Sequence, residues 1–501
     1  MDPLILNALV AIIVVLFFLI QGISSYRAIN GADMYFLYGR NLQNKEYSRS
    51  FAAASTSLAT VLFFFVILGI SHGLYILYAP LTYLLGCFLY SKLFLPALER
   101  QGFFNKNTFD ENPSMGTTLG SYIELRYRSK VIKYSIMFVT FLGMMSILLI
   151  ELFVGVTIFS IYLKEQYVDL ALLFIAFVVF AYTGLGGLFA VVKTDRLQFG
   201  LMIFSVTIFL AWLVWESVAT DRFPSLNYFI MKPISINEGI LIPYPLLFNI
   251  LVVNLLLVPS LLRTWQLAAA SSSSEEVRRG VMNGAWLTGA LTGMFVFIGI
   301  FFFRCVFPNA EVSLQGIFNA LHTSNSFYAA YIIFPMFFAA CLAAMLSTAD
   351  SSLIPLLQSL FQDFRKINTG NSWKHGHVLI CTAFLLVIAI GLYFIVFRLL
   401  KFNLISWLFT IFSFLIICTP SIIFAVLAPD EIVCKKSSRI AAFVSIWGGL
   451  LIAIVISVVG NRLNLIELVQ LNSPFGALFA SLCFLLLLLT CKYSEWKEPR
   501  I

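Results

Sequence analysis

The chain has 501 residues, 60% of them hydrophobic and 11% charged, with a formal net charge of +8 and a mean hydropathy of +0.94. Apolar runs of about 20 residues recur along its length, which marks an integral membrane protein with one membrane domain. The eight Cys are scattered through apolar runs without a CxxC pair and the four His show no zinc-like spacing, which argues against a disulfide framework or a metal centre built on them.

Hydrophobic runs and their breakers predict thirteen helices, over 4–23, 51–72, 75–98, 134–160, 168–187, 193–215, 240–262, 281–305, 329–357, 377–397, 404–427, 440–460 and 474–491. The first has Asp2 before it and no basic leader or small-residue cleavage signal, so it reads as a retained helix. Placing the N-terminus outside and the C-terminus inside puts most of the 32 basic residues on the cytoplasmic side. That topology, rather than nucleic acid, accounts for the positive charge. The longest polar stretch, 99–133, is then cytoplasmic. Its FNKNTFDENPSMG part reads as a loop and LGSYIELRYRSK as a short surface helix. SSSSEE, from Ser271 to Glu276, reads as a helix start with serine capping and acids in the first turn.

Polar residues inside apolar helices carry most of the functional information, because each must face protein or water. The helix spanning 339–357, AACLAAMLSTADSSLIPLL, holds Ala344, Ser347, Thr348 and Ser351 at i, i+3, i+4 and i+7 on one face, with Asp350 at its edge. Pro355 disturbs the carbonyl of Ser351, four residues back. Hydroxyls, a carboxylate and freed carbonyls form a hard-oxygen set suited to a small cation such as sodium. The same hydroxyls can instead bond back to their own helix or join neighbouring helices. Elsewhere, Ser55, Thr56, Ser57 and Thr60 interrupt the second helix, Glu151 stands in the middle of the fourth, and Asp195 begins the sixth. Asp195 also fits an ordinary acidic residue at a helix start.

These residues resemble the sodium/solute symporters, which share the inverted-repeat fold of the leucine transporter. DMYFLYGRNL resembles a cytoplasmic family segment ending in Gly-Arg. YTGLGGLFAVVKTDRLQ resembles a Y-T-x-x-G-G-x-x-A-V-x-x-T-D-x-x-Q signature, and AAMLSTADSSL a small-residue-rich S-T-x-x-S helix. LGSYIELRYRS and RTWQLAAASSSSEEVRRG are similar to weaker family patterns, and the likeness runs from Asp33 to about Asp430. The resemblance implies two five-helix repeats inverted in the membrane, 51–215 and 240–427. These are flanked by a first helix and linker (1–50), an outer loop (216–239) and two C-terminal helices with a tail (428–501). It implies that the first helix of each repeat is discontinuous and that ion and solute bind near the midplane.

The resemblance further implies a sodium site from the carbonyls of Ala54, Ser57 and Ala344 with the hydroxyls of Ser347 and Thr348. Asp195, Asp350 and Ser351 correspond to a second sodium or an exit path. Glu151 falls where the family places a polar substrate contact, with Thr60 and Phe64 as further candidates on the first core helix. The stretch from Val61 to Ile67 departs from the family, having bulky aromatics and no glycine or proline before Gly69.

The implied activity is import of a small organic solute with Na+ as the coupling ion, by alternating access across the plasma membrane, without enzymatic chemistry. Glu151 leans towards an amine or amino acid. The absence of an N-x-S/T sequon fits a bacterial inner membrane, and no obligate protein partner is evident. Three rivals stand: coupling to protons through Glu151 or Asp195, a transport-inactive sensor of the same fold, and a membrane-embedded transferase, for which no polar catalytic cluster is found.

Overall fold

The structure, a computed structural model, describes residues 3–59, 64–104, 118–160, 167–223, 243–364, 375–400 and 404–463, with isolated positions between 465 and 486. A chain in lipid must satisfy its backbone polar groups internally, and helices do so within each segment. The described residues are accordingly all-α, with a single extended bridge between Leu42 and Ser271. Among them nine helices are long and apolar enough to cross a membrane, or ten when the bent pair Tyr244–Ser260 and Leu262–Ala270 is taken as one span.

The difference from the thirteen expected helices lies in three places. The run expected over 51–72 is two pieces, Asn44–Ser55 and Phe64–His72, each too short to span. The helices expected over 168–187 and 193–215 are both present and meet at a kink at Gly187, at φ 55° and ψ −157°, so that Val168–Ala219 counts only once among the nine. A Cβ on Gly187 would lie 2.5 Å from the carbonyl oxygen of Tyr35, so glycine is required both by the dihedral and by the approach. The last expected helix, 474–491, falls mostly outside the described residues.

Two helices are interrupted, the first with no proline or glycine at the break and the second two residues after Pro259. Asn44–Ser55 ends at Thr56, whose φ of −98° and ψ of 70° leave the helix. Pro243–Ser260 ends at Leu261, in extended geometry, and the chain resumes as Leu262–Ala270 at an angle of 44°.

The helix Phe334–Ser359 is the centre of the molecule, with every residue from Phe337 to Ser359 buried. It packs against Val168–Ala219, Lys130–Ser160, Pro3–Tyr26 and the half-helix Asn44–Ser55. Pro3–Tyr26 and Lys436–Arg462 instead expose large apolar side chains such as Ile13, Ile20, Leu451 and Val455, as lipid-facing helices do. Glycines let the core elements close up. A Cβ on Gly69 would stand 2.5 Å from the carbonyl oxygen of Val296, where Phe64–His72 crosses Ser274–Phe301.

Polar elements at the helix ends follow ordinary rules. Ser273 accepts from the Glu276 N–H at 3.3 Å, and Glu275 and Glu276 fill the first turn of Ser274–Phe301. The helix expected at the surface over LGSYIELRYRSK is present as Leu119–Tyr127, but it is packed into the protein, with Tyr122, Ile123, Arg126 and Tyr127 buried. Thr118 caps it and also donates to Asp363 at 2.8 Å. Lys133 bridges the same carboxylate at 3.4 Å and Glu124 at 2.7 Å. The preceding loop, FNKNTFDENPSMG, lies almost wholly outside the described residues.

Candidate functional site

The break after Ser55 leaves helix-end carbonyls without intrahelical donors, and it places the negative end of one helix dipole inside the protein. Arg263, on Leu262–Ala270, answers this. Its Nη1 donates to the carbonyl of Ala54, and its Nη2 donates to the Ser55 hydroxyl at 2.9 Å. Ser55 also contacts the Tyr83 hydroxyl at 3.1 Å. On the far side of the break Glu151 provides a carboxyl group. It accepts from the Ser57 hydroxyl and, at 3.3 Å, from the N–H of Leu58, and it is fully buried. A guanidinium and a carboxylate thus hold open a break that local sequence chemistry does not announce.

The central helix presents its polar face to Val168–Ala219 and to Asn44–Ser55. Ser347 donates to Asp195 Oδ1 and Ser50 donates to Oδ2, both at 2.5 Å, so one carboxylate joins three helices. One turn further along, Asp350 Oδ2 accepts from Tyr182 at 2.6 Å. Among the described residues, Asp350 Oδ1 and Thr348 Oγ1 find no hydrogen-bond partner, although both are buried. Ser351 bonds back to the carbonyl of Thr348 at 3.3 Å, and Ser352 does so at 2.7 Å. Ala344 is fully buried on the same helix.

The residues singled out in the sequence therefore divide. Ser347 and Asp195 come together, with Asp350 close by in the same buried layer. Ala54 is engaged by Arg263 and Ser57 by Glu151. Thr60 lies outside the described residues. Sequence reasoning passed over Arg263, Ser50 and Tyr182. Ser50 was findable, since it precedes Ala54 by four residues and Ser57 by seven, on one helical face. Tyr182 is the first residue of the Y-T signature. Arg263 is the first residue of the RTWQLAAASSSSEEVRRG segment, but nothing in that segment announced a contact with the second helix.

A cavity of about 110 Å³ adjoins the break. Aromatic rings line it, from Phe64, Phe65, Tyr83, Phe409 and Phe412, together with Ser55, Asn249, Asn254, Thr288 and Thr292. Asn254 is held by donating to the Ala79 carbonyl at 3.0 Å and to Thr82 at 2.9 Å. Thr288 and Thr292 bond back to their own helix. No charged side chain is among the described residues lining the cavity, and Glu151 does not reach it.

A sequence model described as the Sodium:solute symporter family matches residues 35–449. The chain belongs to that family. It is an ion-coupled secondary transporter working by alternating access, not an enzyme, and a multi-pass protein of the plasma-membrane type. None of the curated proteins matches it. Among solved structures it is similar to the substrate-bound outward-open state of a Na+-coupled sialic acid symporter, at 14% identity and a TM-score of 0.67, over 96% of this chain and 97% of that one. It is also similar to a manganese transporter of Eremococcus coleocola, at 13% identity and a TM-score of 0.56, over 91% and 96%. A third is a nucleobase-cation-symport-1 family transporter in a closed conformation, at 11% identity and a TM-score of 0.52, over 92% and 95%. At these identities the likeness is one of fold.

Proposed function

We propose that this transporter imports a small, uncharged organic solute together with sodium. The observation that carries the ion reading is the buried polar layer on the central helix. Asp195 is joined to Ser347 and Ser50, while Asp350 Oδ1 and Thr348 Oγ1 stand without hydrogen-bond partners among the described residues. Buried oxygen atoms in excess of donors are costly unless a cation takes them up. In this reading the first sodium is held by the carbonyls of Ala54, Ser57 and Ala344 and the hydroxyls of Ser347 and Thr348. Asp195, Asp350 and Ser351 serve a second sodium or the route inward.

The proposed topology has thirteen helices, the N-terminus outside and the C-terminus inside. Its core is two inverted units, 51–215 and 240–427, flanked by 1–50, 216–239 and 428–501. Its support is that the first membrane helix of each unit is interrupted, at Thr56 and at Leu261.

The solute reading changes with the cavity. An amine or amino acid was suggested by Glu151, but that carboxylate is committed to Ser57 and Leu58 and is absent from the cavity lining. Aromatic rings with amide and hydroxyl groups suit a neutral ring-bearing or polyhydroxylated solute. Sodium pins the broken helix against the central one and orders the cavity; solute binding closes it. Inward opening then releases both, driven by the sodium gradient and about 2.3 kcal/mol per charge per 100 mV of membrane potential. Proton coupling through Glu151 or Asp195 is the second reading, favoured by the full burial of both carboxylates.

Thermal unfolding of the purified protein in NaCl, against equal KCl and choline chloride, tests the ion. At 100 times its dissociation constant a ligand specific to the folded state stabilises by about 2.7 kcal/mol. A sodium-specific rise in midpoint, lost in the double variant Ser347→Ala/Thr348→Ala, is expected. Equal midpoints in the three salts defeat the sodium reading and turn attention to pH-driven uptake.

A further inference from the structure

Arg263 is 9% exposed and forms no ion pair among the described residues. Its Nε is buried without a hydrogen-bond partner among the described residues. A buried, unpaired guanidinium is held only where something compensates its charge. Here the compensation is the carboxyl-terminal end of the half-helix Asn44–Ser55, whose last carbonyls carry the negative pole of the helix dipole, together with the buried Asp195, which interacts electrostatically with Arg263 without an ion-pair contact. The carbonyl that Nη1 grips belongs to Ala54. That same oxygen is one of the proposed sodium ligands.

Two full positive charges on one carbonyl oxygen sit within a few ångströms of each other and repel strongly in a water-poor interior. We propose that Arg263 is a tethered cation that competes with sodium for the Ala54 carbonyl, so that sodium binds fully only when the guanidinium lets go. The inference rests on the sodium reading above.

The second anchor of the guanidinium extends the idea to the solute. Nη2 donates to the Ser55 hydroxyl, and Ser55 and its partner Tyr83 both line the cavity. A solute bonding to Ser55 or Tyr83 draws on the hydroxyl that holds Arg263 in place. Solute binding thereby loosens the guanidinium and favours sodium at Ala54. By linkage, sodium favours the solute to the same extent. On the return leg, with the cavity empty, Arg263 goes back to the carbonyl and fills the position that sodium has left.

The competition has a sign that a structural role lacks. If the guanidinium occupies the carbonyl in about nine molecules of ten, the apparent sodium affinity is weakened about ten-fold. Arg263→Ala is then expected to bind sodium about ten-fold more tightly, read as the midpoint of a sodium titration of thermal stability at constant ionic strength with choline. Millimolar guanidinium chloride, against equal ammonium chloride, is expected to weaken sodium binding in Arg263→Ala and to leave the parent protein unaffected. This second arm separates competition at the carbonyl from a general loss of positive charge. Should Arg263→Ala fail to fold, Ser55→Ala removes one anchor of the guanidinium and is expected to tighten sodium binding about two- to three-fold. Sodium binding that is unchanged or weaker in the folded variant, while Ser347→Ala/Thr348→Ala abolishes it, overturns the role of Arg263 alone. No sodium response in any variant overturns the sodium reading with it. A response that appears only once Arg263 is removed supports the competition in its strongest form.

Discussion

Asp195 holds two serine hydroxyls from different helices, and neither bond depends on its charge for geometry. Asp195→Asn keeps the shape and one acceptor, and a serine hydroxyl can turn to accept from the new amide. The stability in choline chloride is therefore expected to change little. The apparent sodium affinity is expected to fall at least ten-fold, about 1.4 kcal/mol, in a sodium titration of the thermal midpoint. Unchanged sodium affinity would remove Asp195 from the ion path. Glu151 is held in the same way on the far side of the break, by the Ser57 hydroxyl and the Leu58 N–H. In Glu151→Gln the amide oxygen can keep the Leu58 N–H while the Ser57 hydroxyl turns to accept from the amide nitrogen. The midpoint is expected to change little, and equally in sodium, potassium and choline, with the sodium increment preserved. Loss of uptake driven by a pH gradient, with that increment absent in the parent, is instead the signature of the proton reading.

At the scale of the element, the central helix was legible because its evidence is local. Ala344, Ser347, Thr348 and Ser351 share a face by spacing alone, and full burial of the helix follows from its small and apolar residues. The break at Thr56 was not legible as a break. Glycine and proline are the residues that announce one, and the stretch from Ser55 to Leu68 has neither. Its causes, Glu151 and Arg263, lie about a hundred and two hundred residues away in sequence, and only the folded chain brings them to the two ends. The kink between the two expected helices within Val168–Ala219 was legible, since the turning residue, Gly187, stands in a glycine-rich signature. Gly187→Ala puts a side chain on a left-handed backbone and against Tyr35, whose carbonyl oxygen would be 2.5 Å from the new Cβ. Left-handed strain in a non-glycine residue costs about 1–3 kcal/mol, and the clash adds to it. A lower thermal midpoint in every salt is expected; a midpoint equal to the parent's would show that the turn relaxes freely.

At the scale of the whole molecule, charge is distributed in a way that bears on what is carried. The described lining of the cavity has no charged side chain, and the nearby ionisable groups are engaged elsewhere, Arg263 on the helix end and Glu151 on the break. A charged solute entering that cavity would lose its hydration without a counter-charge to replace it, a penalty of several kcal/mol. A neutral solute loses only hydrogen bonds that Asn249, Asn254 and the hydroxyls can return, while its apolar face meets the rings. Net charge moved per cycle then comes from sodium alone. In proteoliposomes on a solid support, a panel of neutral sugars, polyols and nucleosides, beside cationic amines and anionic acids, is expected to give transport currents only from the neutral class and only in sodium. Each coupled charge multiplies the equilibrium accumulation about fifty-fold at 100 mV, inside negative. Currents from a cationic amine would mean that a carboxylate reaches the solute after all, and Glu151 would have to leave Ser57 to do so.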